Sequence, residues 1–212
     1  WKGGANTFSL SAFASRFRNY ISLDATGTDR DTEGNAGVAD CGDGTSAESG
    51  CSAEILPEYA YSQVRARFVG LEAGGNIRLL EGASTVDLEL RGDLVRADNL
   101  TTGQPLARIA PARAGATLAW GQGPWGARIG FDRAASQSRV PAGQLATDGY
   151  TTWNAAVTWK QKAGAANLLW YARVDNAGDR LAYSATSILT QTAPGKAPLP
   201  GRNFKVGVQA VF

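Results

Sequence analysis

Histidine and methionine are both missing from this 212-residue sequence. Histidine is the usual general base near neutral pH and the most common metal ligand in proteins. Its absence excludes Ser-His-Asp and Cys-His catalysis within the chain, and we expect no enzyme activity. The sequence begins at Trp1 without a basic-then-apolar signal segment. This predicts either a processed chain or a fragment of a longer one.

Long apolar runs are also lacking. A transmembrane helix needs about 18 or more consecutive apolar residues, and the sequence contains no such run, in keeping with its mean hydropathy of −0.21. Strands of membrane β-barrels remain compatible with these values, because only every second residue is apolar. The 21 basic and 19 acidic residues nearly cancel, which gives no indication of a nucleic-acid partner.

What the sequence does contain is repeated alternation of apolar and polar residues. In segment 202–212, Phe204, Val206 and Val208 fall on one face, whereas Lys205 and Gln209 fall on the other. This is the period of a strand and not of a helix. Such alternation predicts eight strands, at 7–20, 62–79, 85–96, 112–120, 125–134, 150–160, 166–175 and 202–212.

The second of these segments changes phase midway. Val64, Ala66 and Phe68 share one face, but beyond Gly70 the apolar set begins at Leu71, which falls on the other face. A β-bulge near residues 69–70 would restore the phase, and glycine is common at bulges. We therefore expect a bulge there.

The connections between the segments alternate in length. Short ones lie at 80–84, 121–124 and 162–166, and long ones at about 21–61, 97–111, 135–149 and 176–201. Outer-membrane barrels sort their connections in this way, with short periplasmic turns and long external loops. Trp120, Trp125, Trp159 and Phe212 then fall on one apolar face at the end with the short turns, as in an aromatic girdle.

Three stretches of the sequence resemble TonB-dependent outer-membrane receptors. The end of the chain resembles the last two strands of that family. A G-x-E strand and a segment near L-P-R-I-P-P-x-R are also similar. The matching residues are Asn176, Asp179, Tyr183, Pro200, Gly201, Arg202 and Phe212 at the end, Gly70 and Glu72 in the strand, and Leu106, Arg108, Ile109, Pro111 and Arg113 in the segment.

The resemblance implies an all-β fold, a transmembrane antiparallel up-and-down β-barrel. Residues 1–212 would be about eight C-terminal strands of a roughly 22-stranded barrel, with the plug domain, the TonB box and the N-terminal strands outside this sequence. The implied function is uptake of a scarce nutrient, such as an iron chelate (siderophore), haem or a metal, with energy from TonB. The implied location is the outer membrane of a Gram-negative bacterium.

The resemblance also implies partners: outer-membrane lipid, the TonB complex through the missing N-terminal region, a small-molecule substrate, and the barrel-assembly machinery, which would read Phe212 as part of its signal. The residues alone leave alternatives open. One is a passive porin-like or small self-contained eight-stranded barrel, and another is a soluble carbohydrate-binding sandwich. The identity of the substrate cannot be read from the sequence.

Charged residues lie deep within the predicted strands, on the face opposite the apolar one. We expect them to pair with one another across strands and assign none of them to substrate binding. They are Arg91, Asp93, Arg128, Asp132, Arg173 and Asp175.

The first long loop carries two further candidate features. Asp29, Asp31 and Glu33, with Asp40 at the twelfth position, follow part of a calcium-loop pattern, and the alternative is an ordinary solvated acidic loop. We expect no other cofactor. Cys41 and Cys51 are the two cysteines, and their placement in a polar loop predicts a disulfide formed in an oxidising compartment.

Overall fold

A computed structural model describes residues 1–31, 34–36, 39–40, 51–52 and 55–212. Its strands are β1 (Lys2–Gly3), β2 (Asn6–Asp31), β3 (Ala39–Asp40), β4 (Cys51–Ser52), β5 (Ile55–Leu80), β6 (Ser84–Asn99), β7 (Arg113–Gln122), β8 (Trp125–Ala134), β9 (Tyr150–Ala163), β10 (Ala166–Asp175) and β11 (Asn203–Val211). A four-residue helix, α1 (Leu189–Thr192), lies before β11. Among the described residues, no helix is long and apolar enough to cross a membrane.

Nine strands form one antiparallel sheet in the order β1-β2-β5-β6-β7-β8-β9-β10-β11, and β3 and β4 form a separate two-stranded parallel pair. Each strand of the large sheet pairs with the strand of that sheet that comes before or after it in the chain, so the predicted meander is confirmed. All eight predicted segments are strands, and the short two-residue strand β1 adds a ninth. The sheet is open, with β1 and β11 at its two edges.

The lengths of the second and fifth strands differ from the prediction. β2 and β5 have 26 residues each, so much of the predicted loop at 21–61 is strand. A strand needs only about 9–11 residues to cross a bilayer, and the extra length projects beyond that. In β2 the apolar alternation ends at Ala25, and residues 55–61 of β5 do not alternate, so the outer part of the extension gives no clear strand pattern. There, Arg30 pairs with Glu58 at 2.7 Å, which ties the two strands together.

The predicted bulge near residues 69–70 is wrong. Pairing of β5 with β2 runs without interruption from Phe17–Ala66 to Thr7–Asn76, and its pairing with β6 is also continuous through this region. The register shifts elsewhere, between Phe17 and Tyr20 and again between Ala25 and Asp29. The phase of β5 changes because Val64 and its apolar neighbours are covered by a loop on the opposite face of the sheet.

The two faces of the large sheet can be named by their residues near the short turns. We call the side that carries Trp120, Trp125 and Trp159 the tryptophan face, and the opposite side, with Arg91 and Asp132, the ion-pair face. Register partners lie on the same side of a sheet, and the pairs Trp125–Trp159 and Val86–Trp120 follow this rule. The end with the three short turns is the turn end, and the opposite end is the loop end.

Candidate functional site

The ion-pair face carries a network of charged and polar side chains on β6 to β9. The Arg91 guanidinium donates hydrogen bonds to Asp132 at 3.1 Å and to the Thr117 hydroxyl at 3.3 Å. The Asn154 amide donates to the second carboxylate oxygen of Asp132 at 3.0 Å. A single carboxylate therefore receives donors from two strands, and the network fixes its orientation.

A glycine makes the contact between Arg91 and Asp132 possible. Gly115 on β7 is the register partner of both residues, so the arginine must pass over it to reach the aspartate. A Cβ atom at Gly115 would lie 2.8 Å from the Arg91 Nε atom. Glycine at this position leaves the space that the guanidinium occupies.

Four further ion pairs continue the network. Arg128 pairs with Glu89, Arg113 with Asp93 at 3.0 Å, Arg173 with Asp175 at 2.7 Å, and Lys205 with Asp175 at 3.4 Å. All six charged residues singled out in the sequence have ionic partners, although Arg173 pairs within its own strand. The partners Glu89, Arg113 and Lys205 were not predicted, but the same alternation places them on this face.

The electrostatic character of this face excludes a simple hydrophobic lining. The side chains of Arg91 and Asp132 are 48% and 47% exposed, so water screens the pair, and such pairs add about 0–1 kcal/mol of stability each. Because the charges are paired and partly hydrated, they form a polar wall against which water, a polar solute or another polar protein surface can lie.

At the loop end the ion-pair face is apolar instead. Val64, Ala66 and Ala97 are buried there beneath Leu106, whose side chain is 2% exposed. The backbone N–H of Leu106 donates to the Ala97 carbonyl oxygen at 3.0 Å. The segment around Leu106 that resembles the family pattern is therefore a loop folded back onto the sheet.

This loop, residues 100–112, is held by the next one, residues 135–149. The Gln137 side-chain amide donates to the Ile109 carbonyl oxygen at 2.9 Å, and Arg139 donates to the Ala97 carbonyl oxygen at 3.0 Å. Arg139 also pairs with Asp98. In turn, Gln191 in the last loop exchanges two hydrogen bonds with the Leu145 backbone, at 2.7 and 2.9 Å. Three loops therefore interlock above the ion-pair face.

A cleft lies between the last two of these loops. Charged and aromatic side chains line it together with the Leu145 and Pro194 regions; they are Asp148, Tyr150, Arg180 and Tyr183. The Tyr183 hydroxyl donates to the Gly195 carbonyl oxygen at 3.0 Å. The cleft opens beside the polar wall and offers both charged groups and aromatic rings to a solute.

The motif residues at the end of the chain meet at the start of the last loop. Asn176 is buried, with φ of 49°, and its side-chain amide donates to the Arg180 and Pro200 carbonyl oxygens at 2.9 and 3.2 Å. The Asp179 carboxylate accepts from the Arg202 backbone N–H at 2.8 Å. A Cβ atom at Gly201 would lie 2.8 Å from the same carboxylate. These residues therefore clasp the two ends of the loop between β10 and β11.

The other residues singled out in the sequence lie outside the ion-pair network and the loop clasp. Gly70 and Glu72 lie on the ion-pair face of β5, and Phe212 follows β11 and is 96% exposed. Cys41, Glu33 and the side chains of Asp40 and Cys51 lie outside the described residues, so the disulfide and the calcium loop stay predictions.

Of the predicted calcium ligands, the aspartates at 29 and 31 are described. The Asp31 carboxylate accepts hydrogen bonds from the Asn35 backbone and side chain at 2.8 and 2.9 Å. Within the described ranges, no group of three or more His, Cys, Asp or Glu residues could hold a metal ion.

Comparison with known proteins shows similarity to one protein family and to several solved structures. A model of the family described as "TonB dependent receptor-like, beta-barrel" matches residues 1–177. Among solved structures, the copper transporter OprC matches with a TM-score of 0.69 and 18% sequence identity. The match covers 98% of this chain but 29% of that one, so this chain spans less than a third of the length of the transporter. No curated protein sequence matches.

Proposed function

Because this chain belongs to the family of TonB-dependent receptor β-barrels, we propose that it forms part of the wall of an outer-membrane receptor for a scarce nutrient. The receptor lies in the outer membrane of a Gram-negative bacterium, and the TonB complex supplies energy through a region outside these residues. The family match over residues 1–177 is the observation that carries the proposal.

The two faces of the sheet support this assignment physically. On the tryptophan face, Leu118 and Ile129 are 40% and 56% exposed. Apolar side chains in such positions are stabilised by lipid and not by water. The ion-pair face then lines the lumen, where paired charges suit water or a polar plug. Eight strands close only into a narrow barrel filled by side chains, whereas this charged wall fits a wide lumen.

We propose further that residues 1–212 are the C-terminal part of the receptor barrel, with Phe212 in the barrel-assembly signal. In this arrangement the loops between β8 and β9 and between β10 and β11 face the outside. The cleft that contains Tyr150 and Arg180 is then the part of this chain that first contacts the substrate.

The substrate is an iron chelate, haem, a metal or a similar scarce nutrient. The name of the matching structure points to copper, but copper(I) prefers thiolate and thioether ligands and copper(II) readily takes imidazole. This chain has no histidine or methionine and only two cysteines. A copper ion would therefore need ligands from other parts of the receptor, which favours a chelate or a larger solute at this cleft.

Uptake by the complete receptor that contains this chain tests the proposal. The receptor is expressed in matched Gram-negative strains with and without TonB, and entry of iron-55 siderophore chelates, haem and copper ions is measured. We expect uptake of one of these only when TonB is present, with a reduction in the double variant Y150A/R180A and no change in the turn variant E81A. Equal uptake in both strains would favour a passive pore instead.

A second experiment addresses the alternative of a small self-contained barrel. The sheet leaves β1 and β11 at its edges, and unpaired strand edges are costly in lipid. We therefore expect residues 1–212, refolded alone in detergent, to aggregate. A compact monomer whose migration in gel electrophoresis changes on heating would contradict the receptor proposal.

A further inference from the structure

Three exposed arginines interrupt the apolar residues of the tryptophan face near the loop end. On each of three neighbouring strands an apolar residue is followed, two positions further towards the loop end, by an exposed arginine. The apolar residues are Ala14 on β2, Val69 on β5 and Leu94 on β6, and the arginines are Arg16, Arg67 and Arg96. We call these three residues the arginine cluster.

The register brings the arginine cluster together. Arg16 is the direct register partner of Arg67, and Arg67 is in turn opposite Asp98, which makes Arg96 its diagonal neighbour. Directly opposed side chains have Cβ atoms about 4.5–5.5 Å apart, and diagonal ones about 7–8 Å. Like charges placed directly opposite destabilise a sheet, unless an anion lies between them.

The charge of the cluster is only partly balanced by the protein. Asp98 pairs with Arg67 at 2.9 Å, but it also pairs with Arg139 from the loop 135–149. One carboxylate is therefore shared by two guanidinium groups. Within the described ranges, neither Arg16 nor Arg96 has an ion pair, and both are exposed. The cluster keeps a net positive charge that faces outwards.

The basic residues occupy only one end of this face. At the turn end the tryptophan face carries Trp120, Trp125 and Trp159, and in the described strands it has no arginine or lysine there. At the loop end, Arg133 on β8 adds a further exposed basic residue on the same side. A cationic rim directly above an apolar band matches the boundary between acyl chains and headgroups.

We propose that Arg16, Arg67 and Arg96 bind phosphate groups of anionic lipid headgroups in the leaflet at the loop end. The planar guanidinium group forms paired hydrogen bonds with phosphate oxygens. A phosphate held between Arg16 and Arg67 removes the repulsion between them. This inference rests on the membrane placement within the proposed function, because it needs the tryptophan face to lie against lipid and the loop end to face outwards; it does not need uptake driven by TonB.

The test uses the complete receptor that contains this chain, purified in detergent. Binding of diphosphorylated lipid A, of the same lipid without its phosphates, and of inorganic phosphate is measured. We expect the variant R16Q/R67Q/R96Q to bind diphosphorylated lipid A at least about tenfold more weakly than the parent. The charge-retaining variant R16K/R67K/R96K, which loses the paired hydrogen bonds but keeps the charge, binds more weakly than the parent and more strongly than the glutamine variant. The dephosphorylated lipid does not distinguish parent from variant.

Other outcomes overturn the inference. Equal binding of diphosphorylated lipid A by the glutamine variant and the parent, with heat-modifiable migration showing that both are folded, rules out a role for the cluster. Inorganic phosphate that competes as well as the lipid shows a simple anion site instead of a lipid site. Uptake that does not need TonB, combined with arginine-dependent lipid binding, would remove the proposed function and leave this inference standing.

Discussion

The two ends of β5 lie in one continuous strand, yet they distribute their side chains in opposite ways. Towards the turn end, Leu71 on the tryptophan face is 50% exposed, and Glu72 lies on the ion-pair face. Towards the loop end, Arg67 occupies the tryptophan face, while Val64 and Ala66 are buried on the ion-pair face.

The difference shows that the surroundings of a strand, and not its pleat, set the polarity of each face. Near the turns, lipid covers the tryptophan face in the proposed orientation and water covers the other. Near the loops, the loop 100–112 covers the ion-pair face with Leu106, while the tryptophan face reaches headgroups and water. The alternation continues through both parts, but the apolar residues lie on the tryptophan face near the turns and on the ion-pair face near the loops.

The largest expected effect on stability comes from removing the Leu106 side chain, which covers the apolar part of the ion-pair face at the loop end. Leu106→Ala leaves a cavity against Val64 and Ala97, and such changes cost about 2–5 kcal/mol. We expect thermal unfolding of the receptor in detergent at a lower temperature, with earlier proteolysis of the loop 100–112. Leu145→Ala, at a loop leucine that is 48% exposed, serves as the control, with a cost below about 0.5 kcal/mol. Equal effects of the two changes would contradict the role of Leu106.

Placing the same charge at the two levels of the tryptophan face sharpens the comparison. Ile129→Arg puts a cation in the apolar band, where the cost is about 2–4 kcal/mol near the bilayer midplane. Tyr61→Arg puts it on the same side of the extended part of β5, where the side chain is 76% exposed. The expected cost there is about 0–1 kcal/mol. Reversible unfolding in the presence of lipid vesicles measures both, and a smaller cost for Ile129→Arg would refute the lipid assignment.

The clasp at Asn176 gives a smaller effect. Asn176→Ala removes three side-chain hydrogen bonds and leaves a residue with a Cβ atom at φ of 49°. We expect a loss of about 2–3 kcal/mol. Asn176→Gly loses the same bonds but accepts positive φ, so it should be about 1 kcal/mol less destabilising than alanine. Chemical denaturation compares the two, and alanine being the milder change would show that the backbone conformation is not maintained.

The smallest expected effect is a pH dependence in the extension of β2 and β5, beyond the membrane-spanning part. Hydrogen bonds from Arg30 and Thr26 lower the pKa of the Glu58 carboxyl. A lowered pKa stabilises the folded state above the ordinary glutamate pKa of about 4.3, and this contribution is lost as the pH falls through the lowered value. Amide exchange at Arg30 should therefore quicken below that range, and Glu58→Gln should abolish the change. An unaltered pH profile in this variant would contradict the prediction.

Much of the architecture could be predicted, because alternation of apolar and polar residues over eight to ten positions indicates a strand directly. All eight segments, the short turns and the paired charges on one face followed from the pattern of residues such as Arg91 and Asp132. The bulge near Val69 was wrong because the interpretation assumed that each face has one solvent along its whole length. The loop at 21–61 was wrong because the outer part of β2 and β5 carries no clear apolar alternation.

The candidate cleft and the arginine cluster could not have been predicted from the alternation alone. Tyr150 and Arg180 are 30 positions apart in the sequence, and they meet because two long loops fold towards each other. Arg16 and Arg67 are 51 positions apart, and their opposition depends on the register between β2 and β5. The paired residues are visible in the sequence, but their pairing is not.

The sequence by itself determined the strands, the short turns, the lack of histidine chemistry and the division into an apolar and a charged face, because each depends on neighbouring residues along one chain. Only the tertiary structure decided the register, the cover that Leu106 provides, the interlocking of the loops and the opposition of Arg16 and Arg67. These features depend on contacts between distant segments, and a strand's periodicity fixes which side a residue faces without fixing what lies opposite it.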